Sequence, residues 1–215
     1  MTIRVFLVDD HALVRTGLKM ILADQVDIEV VGEAESGEDA LPQIRKLKPH
    51  VVLCDMHLPG LSGFDVTERI VRGKYGARVI IVSVLEDGPL PKRVLEAGAS
   101  GYVGKGGDAN ELLRAVRDVS RGKRYLGSNV AQNLALSSMS EDASPFDGLT
   151  ARELEVVMLL VQGLRQNEIA ARLSLSPKTV STHKTRVFQK AKVQDTVALA
   201  RLATQYGLMD PARVV

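Results

Sequence analysis

Val51-Val52-Leu53-Cys54-Asp55-Met56-His57-Leu58-Pro59-Gly60 is the segment around which the rest of the chain is organised. Its three apolar residues and Cys54 form the continuous run expected of a strand buried on both faces, as in a parallel sheet. Asp55 ends that strand, and Leu58-Pro59-Gly60 breaks the chain into a loop. In open α/β sheets chemistry gathers at the carboxyl ends of the strands. An acid in this place is therefore either a cap for the next segment or a functional group.

On either side the same grammar repeats. Val5–Val8 is a strand ending in Asp9-Asp10, followed by Leu13, Leu18, Ile21 and Leu22 at helical spacing. Ile28–Val31 is a second strand. Ser36-Gly37-Glu38-Asp39 opens a helix with capping-box spacing, and Lys48-Pro49 closes it. After the Asp55 strand come a helix over Phe64–Val71, a strand at Arg78–Val82 and a helix over Leu90–Ala97. A short fifth strand, Ser100–Val103, and an amphipathic helix, Ala109–Val119, complete the series. Five strand–helix alternations predict a five-stranded parallel sheet covered on both faces.

Beyond Gly122 the pattern breaks. Val130–Leu136 reads as a short helix, and the small, polar run from Ser137 to Pro145 has no periodicity, as linkers do not. We expect one domain over residues 1–121, a linker over 122–146 and a second domain over 147–215. The second is helical throughout. Thr150-Ala151-Arg152-Glu153 is a capping box opening a helix that runs through Val161 and ends at Gly163. Gln166–Leu173 is a short helix, and Ser174-Leu175-Ser176 a tight turn. Ser176-Pro177 caps a helix over Pro177–Lys190, and Thr196–Tyr206 is the last. Two short helices across a tight turn, the second basic, have helix-turn-helix spacing.

Composition narrows the function classes. The 215 residues are 45% hydrophobic and 25% charged, with no apolar run near the length of a membrane span. The start, MTIRVFLVDD, is too short in apolar residues for a signal peptide. A single cysteine excludes an internal disulfide and suits a reducing, cytoplasmic setting, and no Cys/His cluster has zinc spacing. Charge is uneven: 16 Lys and Arg face 18 Asp and Glu over residues 1–121, but 10 face 6 over residues 147–215. A basic end beside an acidic body points to nucleic acid at that end.

Strand one ends in Asp9-Asp10 and strand three in Asp55. In a doubly wound sheet these ends are neighbours, so three carboxylates converge and repel unless a cation joins them. A hard divalent ion with oxygen ligands, Mg²⁺ above all, is the natural partner. Strand four ends at Ser83 and strand five leads to Lys105. An acidic nucleophile, a divalent ion, a hydroxyl and a lysine are the parts needed to accept a phosphoryl group. The glycine-rich run Gly98–Gly107 is not a phosphate loop. Five residues separate Gly98 from Gly104 where four are required, and Gly106 follows Lys105 in place of Ser or Thr.

These five positions over residues 1–121 resemble the flavodoxin-like receiver domain of two-component response regulators. The resemblance implies Asp55 as phospho-acceptor and Mg²⁺ held by Asp10, Asp55 and the backbone carbonyl of His57, with Asp9 acting largely through water. It implies Ser83 and Tyr102 as a switch pair and Lys105 as the cation on the phosphoryl oxygens. Val84, where a small residue is usual, and His57, two past the acceptor, depart from the common pattern. An aspartate-nucleophile phosphatase is the enzymatic alternative, but His57 stands where its second acid belongs, so no enzyme is expected.

On the basic helix, at about 100° per residue, Val180, Val187 and Ala191 fall on one side. Lys178, Ser181, Thr182, Thr185 and Gln189 gather opposite, with Arg186, Lys190 and Lys192 at the flanks. A polar face with basic flanks suits a major groove, the face reading bases and the flanks holding phosphates. Lys184, nearer the apolar side, is expected to snorkel. Leu149-Thr150, Arg152-Glu153, Glu168-Ile169-Ala170, Leu175-Ser176, Thr179-Val180, His183 and Lys190 resemble the LuxR-type helix-turn-helix over residues 147–209. That likeness places Ser181, Thr182 and Thr185 where relatives reach bases, and adds Thr179 to the DNA-facing set. A receiver followed by this module is the NarL/FixJ architecture, and VDDH with Ser144-Pro145-Phe146-Asp147 resembles its GacA/UvrY subfamily. The resemblance implies a sensor histidine kinase as donor, promoter DNA as target and a homodimer when phosphorylated. A constitutive DNA-binding protein with an unused receiver site is the remaining alternative.

Overall fold

The computed structural model describes residues 2–86, 88–139, 144–173, 175–206 and 208. Two compact units form, the first carrying the sheet and the second the last four helices. Along the chain, strands β1 (Ile3–Val8), β2 (Ile28–Ala34), β3 (Val51–Asp55), β4 (Arg78–Ser83) and β5 (Gly101–Gly104) alternate with helices. These are α1 (Ala12–Ala23), α2 (Gly37–Leu47), α3 (Gly63–Arg72), α4 (Leu90–Glu96) and α5 (Ala109–Ser120). A further strand, β6 (Tyr125–Leu126), completes the sheet. All pairings are parallel, in the order β2-β1-β3-β4-β5-β6. The direction of winding reverses between β1 and β3, so the crevice at their carboxyl ends is a topological switch point.

The sheet thus has six strands, not five. The extra one, β6, lies against Gly101 and Tyr102 of β5. Tyr125 donates its N–H to the Ser100 carbonyl at 3.0 Å and Gly127 to that of Tyr102 at 2.8 Å. Two residues are too few to carry a period-two signal, so backbone pairing alone defines this strand. Helix α6 (Ser128–Met139) comes next, where the sequence suggests a short helix over Val130–Leu136. Ser140 to Ala143 of the expected linker lie outside the described residues.

β3 is buried at all five positions, as its unbroken apolar run requires. Val5, Leu7, Val51, Leu53, Ile80 and Val82 meet Leu112, Ala115, Val116 and Val119 of α5 in one core. The helical stripe on α1 is narrower than expected: Leu22 is buried, but Leu13 is 86% exposed. Helix ends follow their chemistry. Ser36 Oγ accepts the Asp39 N–H, and Lys48 closes α2 in the left-handed region at φ 49°.

The second unit holds α7 (Ala151–Val161), α8 (Gln166–Arg172), α9 (Pro177–Ala191) and α10 (Thr196–Gln205). Ser174 of the expected turn lies outside the described residues. Val180, Val187 and Ala191 are buried as one stripe of α9, and the Phe146 and Tyr206 rings meet edge-on at 6.3 Å. No helix among the described residues is long and apolar enough to cross a membrane.

Candidate functional site

β1 and β3 are hydrogen-bonded neighbours through Val8 and Cys54, so the next residue on each, Asp9 and Asp55, opens into the same crevice. Both side chains are nearly out of solvent, at 2% and 5% exposure. Lys105, just past β5, places Nζ 2.7 Å from Asp9 Oδ2 and 3.0 Å from Asp55 Oδ2. Its backbone N–H donates to the Ser83 carbonyl at 2.7 Å, continuing the β4–β5 ladder by one bond and fixing the root of that side chain. Burial pulls the Lys105 ammonium down, but the bond to Asp9 and the charge of Asp55 outweigh it, leaving the pKa above the ordinary lysine value.

One lysine does not balance three carboxylates. Ligand atoms of Asp9, Asp10, His11 and Asp55 lie within 4.8 Å of one another. Asp10 Oδ1 is shielded from water and has no hydrogen-bond partner, although His11 Nδ1 lies 2.8 Å away. A carboxylate oxygen shielded from water, with only the His11 imidazole beside it and among excess negative charge, fits a divalent cation with oxygen ligands. His11 was not singled out in the sequence as a site residue. Its N–H donates to Asp9 Oδ1 at 2.8 Å, a contact that adjacency to the Asp-Asp pair could have suggested.

Ser83 and Tyr102 are fully buried. Both bond to the peptide groups of Leu85: Ser83 Oγ accepts its N–H at 3.2 Å, and the Tyr102 hydroxyl donates to its carbonyl at 2.5 Å. The segment after β4 is thus tied at one residue to the hydroxyl beside Asp55 and to the β5 ring. Val84, between them, is exposed. Cys54 is fully buried, and desolvation, then the charges of Asp55 and Asp9, push its thiol well above the ordinary range. It packs as a small apolar residue.

The loop after Asp55 is gripped from α2. Glu38 Oε1 accepts the Leu61 N–H at 3.1 Å and occupies the space a Cβ on Gly60 would fill. Gly60 itself has φ +74°, a conformation glycine adopts without strain. This grip fixes the segment carrying His57, and no periodicity in the sequence signals it.

In the second unit, Glu153 does two jobs. It accepts the Thr150 N–H at 2.7 Å, completing the capping box, and receives Lys190 Nζ at 2.6 Å. Burial pushes its carboxyl up, but the Lys190 and Thr150 bonds outweigh that and hold it below the usual range. The ammonium of Lys190, expected on a phosphate, is here bound to the helix that supports α9. Arg152 Nη2 donates to the Leu173 carbonyl at 2.8 Å, fixing the end of α8.

Lys178, Ser181, Thr182, Thr185, Arg186 and Gln189 are exposed along α9. The Thr182 and Thr185 hydroxyls donate to the carbonyls of Lys178 and Ser181, both at 3.0 Å. Thr179 is half-buried at the cap, its Oγ1 2.8 Å from Ser176 Oγ. Lys184 lies over the Phe188 ring at 5.3 Å.

His183 faces inward with Nδ1 buried and without a hydrogen-bond partner. Burial pulls its pKa below the ordinary value. Glu153 opposes this, and Arg152 and Arg186 reinforce it. With the folded value depressed, the unfolded chain binds the proton more readily. Stability is complete above about pH 6.5 and falls as pH drops below it, by at most about 1.4 kcal/mol per pH unit. Thermal unfolding of wild type and His183→Gln between pH 7.5 and 5.5 should show a shallower loss in the variant. Equal slopes would refute the assignment.

A parallel sheet with an acidic, lysine-bridged crevice, joined to a helix-turn-helix, defines a phosphorylation-controlled transcription factor. Residues 5–117 match the response regulator receiver domain, and residues 147–203 the LuxR family of bacterial regulatory proteins. The chain belongs to the NarL/FixJ-type two-component response regulators. It is 42% identical to response regulator GacA of Pseudomonas aeruginosa, covering 98% of this chain and 99% of that one. Identity with response regulator UvrY of Escherichia coli is 43%, over 96% of this chain and 95% of that one. A solved structure of RcsB from Salmonella enterica serovar Typhimurium, bound to the promoter P1flhDC with phosphomimetic BeF₃⁻, is also similar. It has a TM-score of 0.74 at 26% identity, covering 95% of this chain and 100% of that one.

Proposed function

We propose that Asp55 accepts the phosphoryl group and that this controls binding of α9 to promoter DNA. The observation carrying this reading is the convergence of Asp9, Asp10, Asp55 and Lys105 at the carboxyl ends of neighbouring strands. Asp10 and Asp55, with the His57 backbone carbonyl, would hold Mg²⁺, and Asp9 would act largely through water. When bound, the ion supplies charge neutralisation for the incoming oxygens. Asp55 supplies the nucleophile, forming a bond to phosphorus as the donor's bond to phosphorus breaks. Lys105 turns from the carboxylates to an equatorial oxygen, and Ser83 Oγ leaves the Leu85 N–H to bond another. Releasing Leu85 from one partner while Tyr102 holds its carbonyl is how a local charge would move the segment after β4.

The protein in this reading is a cytoplasmic regulator, not an enzyme, served by a sensor histidine kinase and active as a homodimer on promoter DNA. Lys178, Thr179, Ser181, Thr182, Thr185 and Gln189 face the groove with Arg186 at its phosphate edge, while the Lys190 ammonium stays on Glu153. The test is DNA binding by fluorescence anisotropy, with and without acetyl phosphate and Mg²⁺, across a salt series. Acetyl phosphate should tighten binding in wild type and leave Asp55→Asn unchanged. Equal binding in both states assigns a constitutive DNA-binding protein instead. Arg186→Ala should lower the slope of log affinity against log salt by about 0.9, the value of one phosphate contact. Lys190→Ala should change that slope less, since its ammonium is bound to Glu153. Equal slope changes for the two variants would overturn that distinction.

A further inference from the structure

Arg15 on α1 is a charged side chain with only 8% exposure, and phosphoryl transfer to Asp55 makes no direct use of it. Its Nη1 donates to the main-chain carbonyl of Asp9 at 2.6 Å and its Nη2 to Glu35 Oε1 at 2.5 Å. Its Nε stands 3.6 Å from Glu33 Oε2, while Lys19 holds the other oxygen of Glu33 at 2.9 Å. The Asp9 carbonyl sits just past the last paired residue of β1, where the ladders to β2 and β3 have ended. A buried carbonyl there needs a donor from outside the sheet, and Arg15 provides it.

Asp9 is therefore held at four points: its N–H by the Ala34 carbonyl, its carbonyl by Arg15, Oδ1 by the His11 N–H and Oδ2 by Lys105. The peptide that Arg15 grips is the one joining Asp9 to Asp10, so its orientation sets where both carboxylates point. The two acids beside Arg15 matter as much. Glu35 and Glu33 neutralise the guanidinium on the β2 side, so the group can approach the acidic crevice without cancelling its negative charge.

We propose that Arg15, backed by Glu35, is a positioning residue for the cation site: it fixes the Asp9–Asp10 peptide so that Asp10 meets a divalent ion directly and Asp9 meets it through water. This rests on the reading that Asp10 and Asp55 hold Mg²⁺ with Asp9 in the surrounding water shell. Arginine is required because a planar fork reaches the carbonyl and the carboxylate together, whereas one ammonium reaches either. Partners of this kind set metal affinity without touching the metal.

The experiment is isothermal titration of the full chain with MgCl₂, comparing wild type, Arg15→Met, Arg15→Lys and Arg117→Met. Arg117 is the matched control: it makes two 2.8 Å bonds to Asp27, before β2 and at the opposite end of the sheet. Arg15→Met should weaken Mg²⁺ binding roughly 10- to 100-fold, the range for lost outer partners. Arg15→Lys should recover part of that, and Arg117→Met should stay within about twofold of wild type. A folded Arg15→Met with wild-type Mg²⁺ affinity overturns the proposal. Should that variant fail to fold, Arg15→Lys and Glu35→Gln carry the test, and wild-type affinity in both overturns it equally. Phosphoryl uptake from acetyl phosphate gives a second readout, in which saturating Mg²⁺ restores Arg15→Met. A wild type that binds Mg²⁺ but takes up no phosphoryl group overturns the acceptor reading and leaves the Arg15 result standing.

Discussion

Asp55→Asn is expected to gain no phosphoryl group on incubation with Mg²⁺ and acetyl phosphate, whereas the wild type gains one, as read by intact mass. The amide lacks the nucleophilic oxygen pair of the carboxylate but keeps its shape, so the loss is chemical. The fold should survive the change. Lys105 keeps its 2.7 Å contact with Asp9, and one of three converging negative charges disappears. Losing the 3.0 Å contact with Asp55 costs on the order of 1–2 kcal/mol, offset by relief of repulsion among the carboxylates. The thermal midpoint of the receiver should therefore move by only a few degrees. Uptake by the Asn variant would place the acceptor elsewhere. No uptake by a folded, Mg²⁺-binding wild type, repeated with a kinase as donor, would leave Asp55 without this role.

A comparably large loss, this time of stability, is expected at Gly63, the first residue of α3. A Cβ built there runs into the Asp55 carbonyl oxygen and comes within 2.9 Å of Met56 Cα. Both are backbone, and the Gly63 N–H is bonded to the Met56 carbonyl at 2.9 Å, so the helix start cannot simply swing away. Gly63→Ala must displace either α3 or the peptide after Asp55. We expect a loss of about 3 kcal/mol or more, at the upper end for overpacking, seen as a lower midpoint in chemical denaturation. Phosphoryl uptake in the surviving folded fraction should fall as well, because the displaced peptide is Asp55's own. Gly106→Ala is the control, since nothing stands within 4 Å of a Cβ there. Equal stability of Gly63→Ala and wild type would refute the close approach.

Much of this protein is legible from residue order alone. The unbroken run of β3 announces a strand buried on both faces because such a strand has no solvent side to mark with polar residues. Asp9, Asp10 and Asp55 stand out because each lies at a strand end, and parallel strands must all end on the same side. Cap signatures mark the starts of α2 and α7: Ser36 caps α2 through its side chain alone, and Thr150 with Glu153 closes a full capping box, because these residues satisfy local donors whatever surrounds them. The exposed face of α9 is readable for the same reason: it depends on the angle between successive residues alone.

Features that left no trace in the sequence depend on distant partners. β6 is two residues long, and its pairing with β5 leaves no pattern. Leu13 completes a helical stripe on paper, yet α1 packs through Leu22 and turns Leu13 to solvent. Lys190 belongs to a basic flank by its angle on α9, but a buried carboxylate on α7 takes its charge. Arg15 looks like any helix-surface arginine until β2 brings Glu33 and Glu35 beside it and β1 ends under it.

Local chemistry was thus enough to establish the order of elements, the strand-end acids and the polar face of α9. Each is set within one strand or one turn by backbone dihedrals and spacing. Folding in three dimensions added the rest: which charge meets which, where a missing Cβ is required, and what holds Asp9 in place. Those contacts join residues far apart in the chain, and their energies depend on distances and burial that exist only once the sheet has closed its core.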